Sequence, residues 1–420
     1  MSDYMFMLEN HLTSAQNRVL AEVRRQALEE NVNVFLTGGA VRDMLGGFPI
    51  GDLDFTVEGN ALRLAKAVAD RMNATILSSD SNRKAAELVS PEGATFEIGM
   101  ARTERYPKTA GKPHVTGATI QEDLLRRDFT INALALSLNR ASRGLLLDPT
   151  NGMGDLERRE IRTTSSYVFY DSPIRLLRLW RFKVRLGFTL SEKTVSQYRN
   201  ARESELENFI TRPELLSELQ KAATEPNTAD LLQAWDEEKF LALISPALAG
   251  QALNLPAFVK LQKFRQTLPF GIGLQTDEPA LFFAILTEKL TPKERAVIAE
   301  LDPEHATSWS KLGARSMKLE KDVAASSLNR PSKIYTLLSK APGEQIFYLV
   351  LRSQQRTVQD RIRNYLQKYI PTAQEITDSQ VVEAGFTPGT PKFEKAKAEM
   401  IAKRLDARPK KPEPEAEIAS

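Results

Sequence analysis

The chain of 420 residues contains no cysteine. That excludes a disulfide framework, thiolate zinc sites and thiol nucleophiles, and it suits a reducing compartment. Metal chemistry is left to oxygen or imidazole, and there are only 3 histidines, His11, His114 and His305. No sign of charge dominates either. With 57 basic against 54 acidic residues the net charge is +3, so the chain is no polycation and any nucleic-acid surface must be local. One candidate is residues 392–411, with eight Lys or Arg against three acidic residues, although a solvated helix and tail explains the same run. Long apolar runs are missing too, which leaves no stretch fit to span a membrane. Within the first 30 residues Glu9, Glu22, Glu29 and Glu30 interrupt the apolar positions, unlike the core of a signal peptide. A cytoplasmic location with no membrane partner is expected.

What is present is an ordinary globular composition, 42% hydrophobic and 26% charged, in a chain long enough for two to four domains. Its character changes midway. Between about residues 32 and 147, turn signals alternate with short β-patterned runs at 34–37, 52–57, 95–99 and 145–148, interleaved with helices such as Ala61–Met72. That predicts an α+β domain. From about residue 173 the pattern is helical, as in Arg212–Ala223 and residues 228–242, 278–289 and 343–367, punctuated by prolines. There is no internal repeat, and residues 409–420 have no hydrophobic face and are expected to be disordered.

The densest chemistry begins at Gly38-Gly39-Ala40-Val41-Arg42-Asp43, directly after an apolar strand candidate. Paired glycines let backbone amides approach phosphate oxygens, and a helix start with Arg42 adds positive potential, so the segment would seat a triphosphate. A tight strand-to-helix turn alone would look the same. Next comes Gly51-Asp52-Leu53-Asp54-Phe55-Thr56-Val57. Strand periodicity puts Asp52, Asp54 and Thr56 on one face and the apolar residues on the other, the two carboxylates about 7 Å apart. Such hard oxygens suit Mg²⁺ shared with substrate phosphates and water. Glu97, between Phe96 and Ile98, offers a third carboxylate, or simply the exposed side of a half-buried strand.

Two arginine groups follow. Residues 122–133 open with Glu122 and Asp123 and contain Arg126, Arg127, Asp128 and Asn132. Its arginines could clamp phosphates and Asn132 could hydrogen-bond a sugar or phosphate, although an ordinary charged helix end more often looks the same. In the helix beginning near Pro173, Arg175, Arg178, Arg181 and Arg185 fall within roughly a third of the circumference, while most of the rest is apolar. A largely buried helix with an arginine stripe needs anionic or hydrogen-bonding partners. A nucleotide would serve, as would protein carboxylates such as Glu122 and Asp123.

In order, these segments resemble the successive motifs of the class II tRNA nucleotidyltransferase and poly(A) polymerase family, through residues 35–57, 96–102, 122–136, 148–162 and 172–188. The resemblance implies a polymerase-β-like head over residues 1–147, a helical neck that recognises the base over 148–205, a helical body over 206–300 and an RNA-binding helical tail over 301–408. It implies that Asp52 and Asp54 hold catalytic Mg²⁺ and that Glu97 matches the third acidic position. Gly39 and Arg42 match nucleotide-binding positions, as do Arg126 or Arg127, and Arg175, Arg178 and Arg181 match the neck arginines that face the incoming nucleotide; Gly38, Asp43, Asn132 and Asp171 are further candidate nucleotide-binding residues. The implied partners are ATP, CTP and the 3′ end of tRNA or another RNA, for a monomer or homodimer. Asp148-Pro149 through Gly152 and Asp155-Leu156 match a motif joining head to neck, and residues 385–391 resemble a tail element of longer members. No histidine precedes an Asp, so the HD phosphohydrolase activity of some members is not expected.

Three functional classes compete. The preferred reading is completion or repair of the CCA end of tRNA, in full or only its CC or A part, and its nearest rival is poly(A) synthesis with the same catalytic residues. A decayed, purely RNA-binding protein is disfavoured by the presence of Asp52, Asp54, Glu97 and the arginines, and transfer to a small molecule by the long helical half. One departure bears on base choice: where the family's neck helix opens Glu-Asp-x-x-Arg, this chain has Asp171-Ser172-Pro173-Ile174-Arg175. A carboxylate accepting from the exocyclic amine of C or A, beside an arginine donating to a ring nitrogen, rejects U and G. Ser172 before Pro173 instead reads as a helix N-cap with proline at the first helical position, which occupies its hydroxyl and leaves only Arg175 to read the base unless Asp171 supplies the acceptor. Single-nucleotide incorporation kinetics should therefore show ATP preferred, CTP used less well, and a margin against UTP and GTP below the roughly 1–3 kcal/mol of one good bidentate contact. Ser172→Asp should widen that margin and Asp171→Ala narrow it; strict C-then-A addition unchanged by either would show the base is read elsewhere.

Overall fold

The structure, a computed structural model, describes residues 4–269, 272–303 and 305–407. The tail at 409–420 and the end of the basic run lie outside the described residues. The chain divides into two compact units, one ending at Glu218 and the other beginning at Leu219, so the segments expected as head and neck share one unit.

The first unit is built on a seven-stranded mixed sheet. Its strands are β1 (Asn33–Thr37), β2 (Leu53–Glu58), β3 (Thr75–Asp80), β4 (Ala85–Val89), β5 (Thr95–Met100), then, past a separate hairpin of β6 (Arg102–Arg105) and β7 (His114–Gly117), β8 (Ala135–Ser137) and β9 (Leu146–Leu147). The order is β3-β4-β5-β2-β1-β8-β9, with β2 and β5 parallel and the other pairs antiparallel. The period-two pattern of β2 sets the layers. Leu53, Phe55 and Val57 are buried against the Ser14–Glu29 and Ala61–Met72 helices, in a core with Val19, Leu64 and Val68. Thr13 and Gln16 form a reciprocal capping box that starts the first of these helices, and Asn60 caps the second. The opposite face of β2 carries Asp54 and Thr56 toward the site.

Strand β3 was not legible in the sequence, because Thr75–Asp80 is exposed throughout and forms an edge of the sheet, where no apolar alternation is needed. In the second unit, residues 228–242 form two helices, Thr228–Glu237 and Leu241–Ile244. Residues 343–367, expected as one helical stretch, are divided into Gly343–Arg352 and Arg356–Asn364, with a π-helical turn at Tyr365–Tyr369. Ser353 adopts extended backbone and breaks the run. Leu319, Val323, Leu338, Ile346, Val358, Ile362 and Leu366 belong to one core cluster of this unit.

The junction after the sheet is tightly packed. Asp148 accepts from the amides of Gly152 and Met153 at 2.6 and 3.0 Å, capping the Gly152–Glu157 helix, and Asp155 accepts from Thr130 at 2.5 Å and Arg162 at 2.9 Å. A Cβ added at Gly152 would lie 2.2 Å from the Thr130 carbonyl oxygen, backbone that is itself pinned by the Thr130 amide's 2.9 Å bond to Arg162. Gly152→Ala should therefore destabilise the protein by about 2–3 kcal/mol in urea unfolding, whereas Gly51→Ala, with open space around it, should change stability by less than about 0.5 kcal/mol. Equal stabilities would show that the junction is not rigid.

Candidate active site

Strand β1 ends at Thr37, in antiparallel register with Asp54, and the chain turns at Gly38 with φ +66°. A Cβ there would meet Arg127 Nη1 at 2.9 Å and Asp54 Oδ2 at 3.6 Å, so only glycine lets the turn lie this close to both groups. The Gly38 amide donates to Leu134 O and its carbonyl accepts from Arg42 N, both at 3.0 Å, starting the Gly39–Gly46 helix. Asp52 is exposed just before β2 and accepts from the Thr95 hydroxyl. Glu97 is exposed beside Asp54 across the parallel register, but its Oε1 leans toward Gly99, 3.3 Å from where a Cβ would stand. Among the described residues no three His, Asp or Glu side chains converge to hold an ion, so Glu97 does not close a cage with the two aspartates here. A pair of accessible carboxylates beside a Cβ-free turn still fits a hard divalent ion that completes its shell with water and phosphate oxygens.

Around this turn the arginines are held by the protein. Arg127 donates to Thr37 Oγ1 and Thr56 Oγ1 at 3.1 and 3.2 Å and to Asp123 at 2.9 Å. Arg126 bridges Asp123 at 2.5 Å, Glu104 at 3.3 Å and the Arg102 carbonyl at 2.8 Å. Arg42 is only 2% exposed; it pairs with Asp43 at 2.7 Å, donates to Asn132 Oδ1 at 2.6 Å and stacks over Phe182 at 4.9 Å. Arg42 therefore faces the interior, and with it Asp43 and Asn132.

The arginine stripe is met by carboxylates other than those expected. Arg178 lies 3.0 Å from Asp128 and 3.6 Å from Glu218, Arg181 2.5 Å from Glu218, and Arg185 3.0 Å from Asp43. Arg175 donates to the carbonyls of Val168 at 3.3 Å and Arg126 at 3.2 Å. The capping expectation for Ser172 fails. Ser172 is the C-cap of the short Val168–Asp171 helix, its amide tied to Val168 O, and the Arg175–Leu186 helix begins past it at Ile174 with no side-chain cap. Proline at 173 supplies no amide, and the first turn is closed by backbone bonds, Arg175 N to Ser172 O at 3.0 Å and Leu176 N to Pro173 O at 2.9 Å.

Asp123, Asp128, Glu104 and Glu218 were not singled out from the sequence as site residues, yet they organise the site. Only the Arg-Arg-Asp run hinted at Asp128; Glu218 lies 37 residues beyond Arg181, out of reach of any local pattern. Burial opposes the ionisation of Asp128, but Arg178 and Arg175 outweigh it and hold the carboxyl well below the usual range. Asp123 is likewise depressed, burial being overcome by Arg127 and Arg126. Burial raises Asp171 despite the opposing pull of Arg175. Glu104 accepts from Arg102 at 2.8 Å and Tyr106 at 2.7 Å, and these contacts with Arg126 override burial to bring it to about 2.

Residues 34–162 match the poly A polymerase head domain family. The A-adding tRNA nucleotidyltransferase of Aquifex aeolicus is 29% identical over 348 residues, 80% of this chain and 40% of the relative. That of Halalkalibacterium halodurans is 39% identical over 196 residues, 46% of each chain. A solved tRNA nucleotidyltransferase complexed with a primer tRNA and an incoming ATP analogue has 27% identity and a TM-score of 0.55, covering 83% of this chain and 98% of that one. The chain thus carries a poly A polymerase head domain at residues 34–162 and is similar to tRNA nucleotidyltransferases over most of its length. It spans less than half the length of the A-adding relatives, from 40% to 47%. The α+β head with a helical remainder expected from the sequence is the fold found. In this chain, the aspartates lie at the mouth of the glycine turn and the arginines behind it form a protein-neutralised layer.

The depressed Glu104 has a pH consequence. A carboxylate with a lowered folded-state pKa contributes stability above its ordinary value of 4.5, lost as pH falls toward about 2. Glu104→Gln should thus be less stable than the parent by about 3 kcal/mol above pH 5, with the gap closing as pH falls through that window. Denaturant titrations across pH 2.5–7 test this, and a gap independent of pH would contradict it.

Proposed function

We propose that this chain transfers nucleotides from ATP, and less readily CTP, to the 3′ end of tRNA, releasing pyrophosphate. The observation that carries the reading is Asp54 beside the Gly38 turn, with Asp52 at the mouth of the same strand. Asp52 and Asp54 would hold divalent ions, Mg²⁺ by the hardness of their oxygens. Such ions, when bound, favour the deprotonated attacking hydroxyl and neutralise charge on the departing pyrophosphate. The Gly38–Gly39 turn brings backbone close to the triphosphate, and Arg127 sets the rim by bridging β1 and β2. Asp171, half-buried and within the field of Arg175, would accept from an exocyclic amine where the family's Asp is replaced by Ser172. The names of the relatives, A-adding, CC-adding and CCA-adding, support tRNA as the acceptor and leave open how much of the CCA end is made. The helical second unit would hold the RNA.

Poly(A) synthesis is the second reading, favoured by the head-domain match. Purified protein with Mg²⁺, each NTP singly, and tRNAs ending before the first C, the second C or the terminal A separates the two. One defined addition supports tRNA completion; continued AMP addition to any RNA supports the alternative. Asp52→Ala and Asp54→Ala should each reduce incorporation by at least about a thousandfold, roughly 4 kcal/mol, with the double variant little worse and RNA affinity retained. That affinity should fall steeply with salt. Normal turnover by Asp52→Ala would remove the assignment.

A further inference from the structure

The second unit contains a cavity of about 820 Å³ that plays no part in the site above. Its walls come from the Pro331–Leu338 helix and the turn after it, the π-helical turn at Tyr365–Tyr369, the Ile370–Gln374 helix, the Pro391–Asp406 helix and residues 273–275. The volume is that of a small-molecule site, and π-helical turns recur where backbone is shaped for function.

The lining has a definite chemistry. It includes two lysines, Lys340 and Lys397, and no carboxylate. Lys340 is exposed; the Lys397 ammonium lies 2.7 Å from Asp378, an exposed residue outside the lining. Tyr335 and Tyr365 bring their ring centroids to 5.9 Å with planes tilted by 52°. Tyr365 is 3% exposed, yet its hydroxyl has no hydrogen-bond partner among the described residues. With no protein acceptor taken, that hydroxyl can donate to a group placed in the cavity. Burial also pushes this phenol well above its ordinary pKa, so it is present as a donor. Gln275 and Gln374 add amides that can donate and accept.

We propose that this cavity binds a nucleoside monophosphate, distinct from the substrate nucleotide of the first unit. The ring packs against Tyr335, the phosphate sits toward Lys340 and Lys397, and the Tyr365 hydroxyl donates to a ligand acceptor. The phosphate competes with Asp378 for Lys397. No carboxylate in the lining opposes the anion, and the tyrosine pair favours a planar ring over an inorganic anion. The inference does not depend on the identity of the acceptor RNA.

The full-length protein is photolabelled with 8-azido-AMP and the modified peptides are mapped, so that the two units are scored separately. Label is expected on peptides containing Tyr335 or Tyr365, displaced by AMP. Tyr365→Phe and Lys340→Ala should each lower it at least fivefold without changing labelling of the first unit, Tyr365→Phe removing only the hydroxyl from an otherwise intact core. Label confined to residues before Glu218 would overturn the proposal. So would cavity label displaced by single-stranded RNA and not by AMP, which would make the cavity part of a polynucleotide track.

Discussion

The carboxylate of Asp128 is the point through which the first unit is tied together. It accepts from its neighbour's amide at 2.8 Å, from Asn132 Nδ2 at 3.0 Å and from Arg178 Nη1 at 3.0 Å, and it is buried. The last two of those contacts each lead on to further charges. Asn132 holds Arg42, Arg42 holds Asp43, Asp43 holds Arg185, and Arg178 shares Glu218 with Arg181. Opposite charges alternate from the glycine-turn helix to the arginine-striped helix. A buried ion is tolerated only when paired and hydrogen-bonded, so losing one member leaves its partner uncompensated, at about 3–5 kcal/mol.

This layer explains how so many arginines can surround one strand end without repelling one another. The positive charge behind the glycine turn is neutralised before any nucleotide arrives, while Arg127 stays at the rim through Thr37, Thr56 and Asp123. The aspartates in front keep accessible oxygens because their strand's apolar residues are spent on the opposite face. Recognition and rigidity are thus divided between two layers of the same sheet end. The rear layer supplies a fixed field and the front layer supplies the groups that can exchange partners.

Much of the front layer was legible in the sequence. The period-two pattern of Asp52 to Val57, the Gly-Gly turn and the Ala61–Met72 helix are local features, and each lies where its pattern placed it. The rear layer was half legible. A stripe of arginines announced that it needed partners, but spacing cannot say that Asp128 and Glu218, rather than Glu122 and Asp123, provide them. Ser172 shows the limit of a local rule: Ser-Pro is a good helix start, yet the preceding Val168–Asp171 turn claims Ser172 as its own end. The edge strand Thr75–Asp80 escaped for a different reason, since a strand with no buried face carries no periodic signal.

The coupling between Asp128 and Arg178 is the direct test of this account. Equilibrium unfolding of the parent, Asp128→Asn, Arg178→Gln and the double variant forms a double-mutant cycle whose interaction energy is free of each residue's separate effects. If the pair organises the unit, the cycle should return a favourable coupling of about 2 kcal/mol or more, with each single variant strongly destabilised and the double variant close to either one. Additive losses, with a coupling below about 0.5 kcal/mol, would mean that the two residues act independently and that the charged layer is not what holds the site in place.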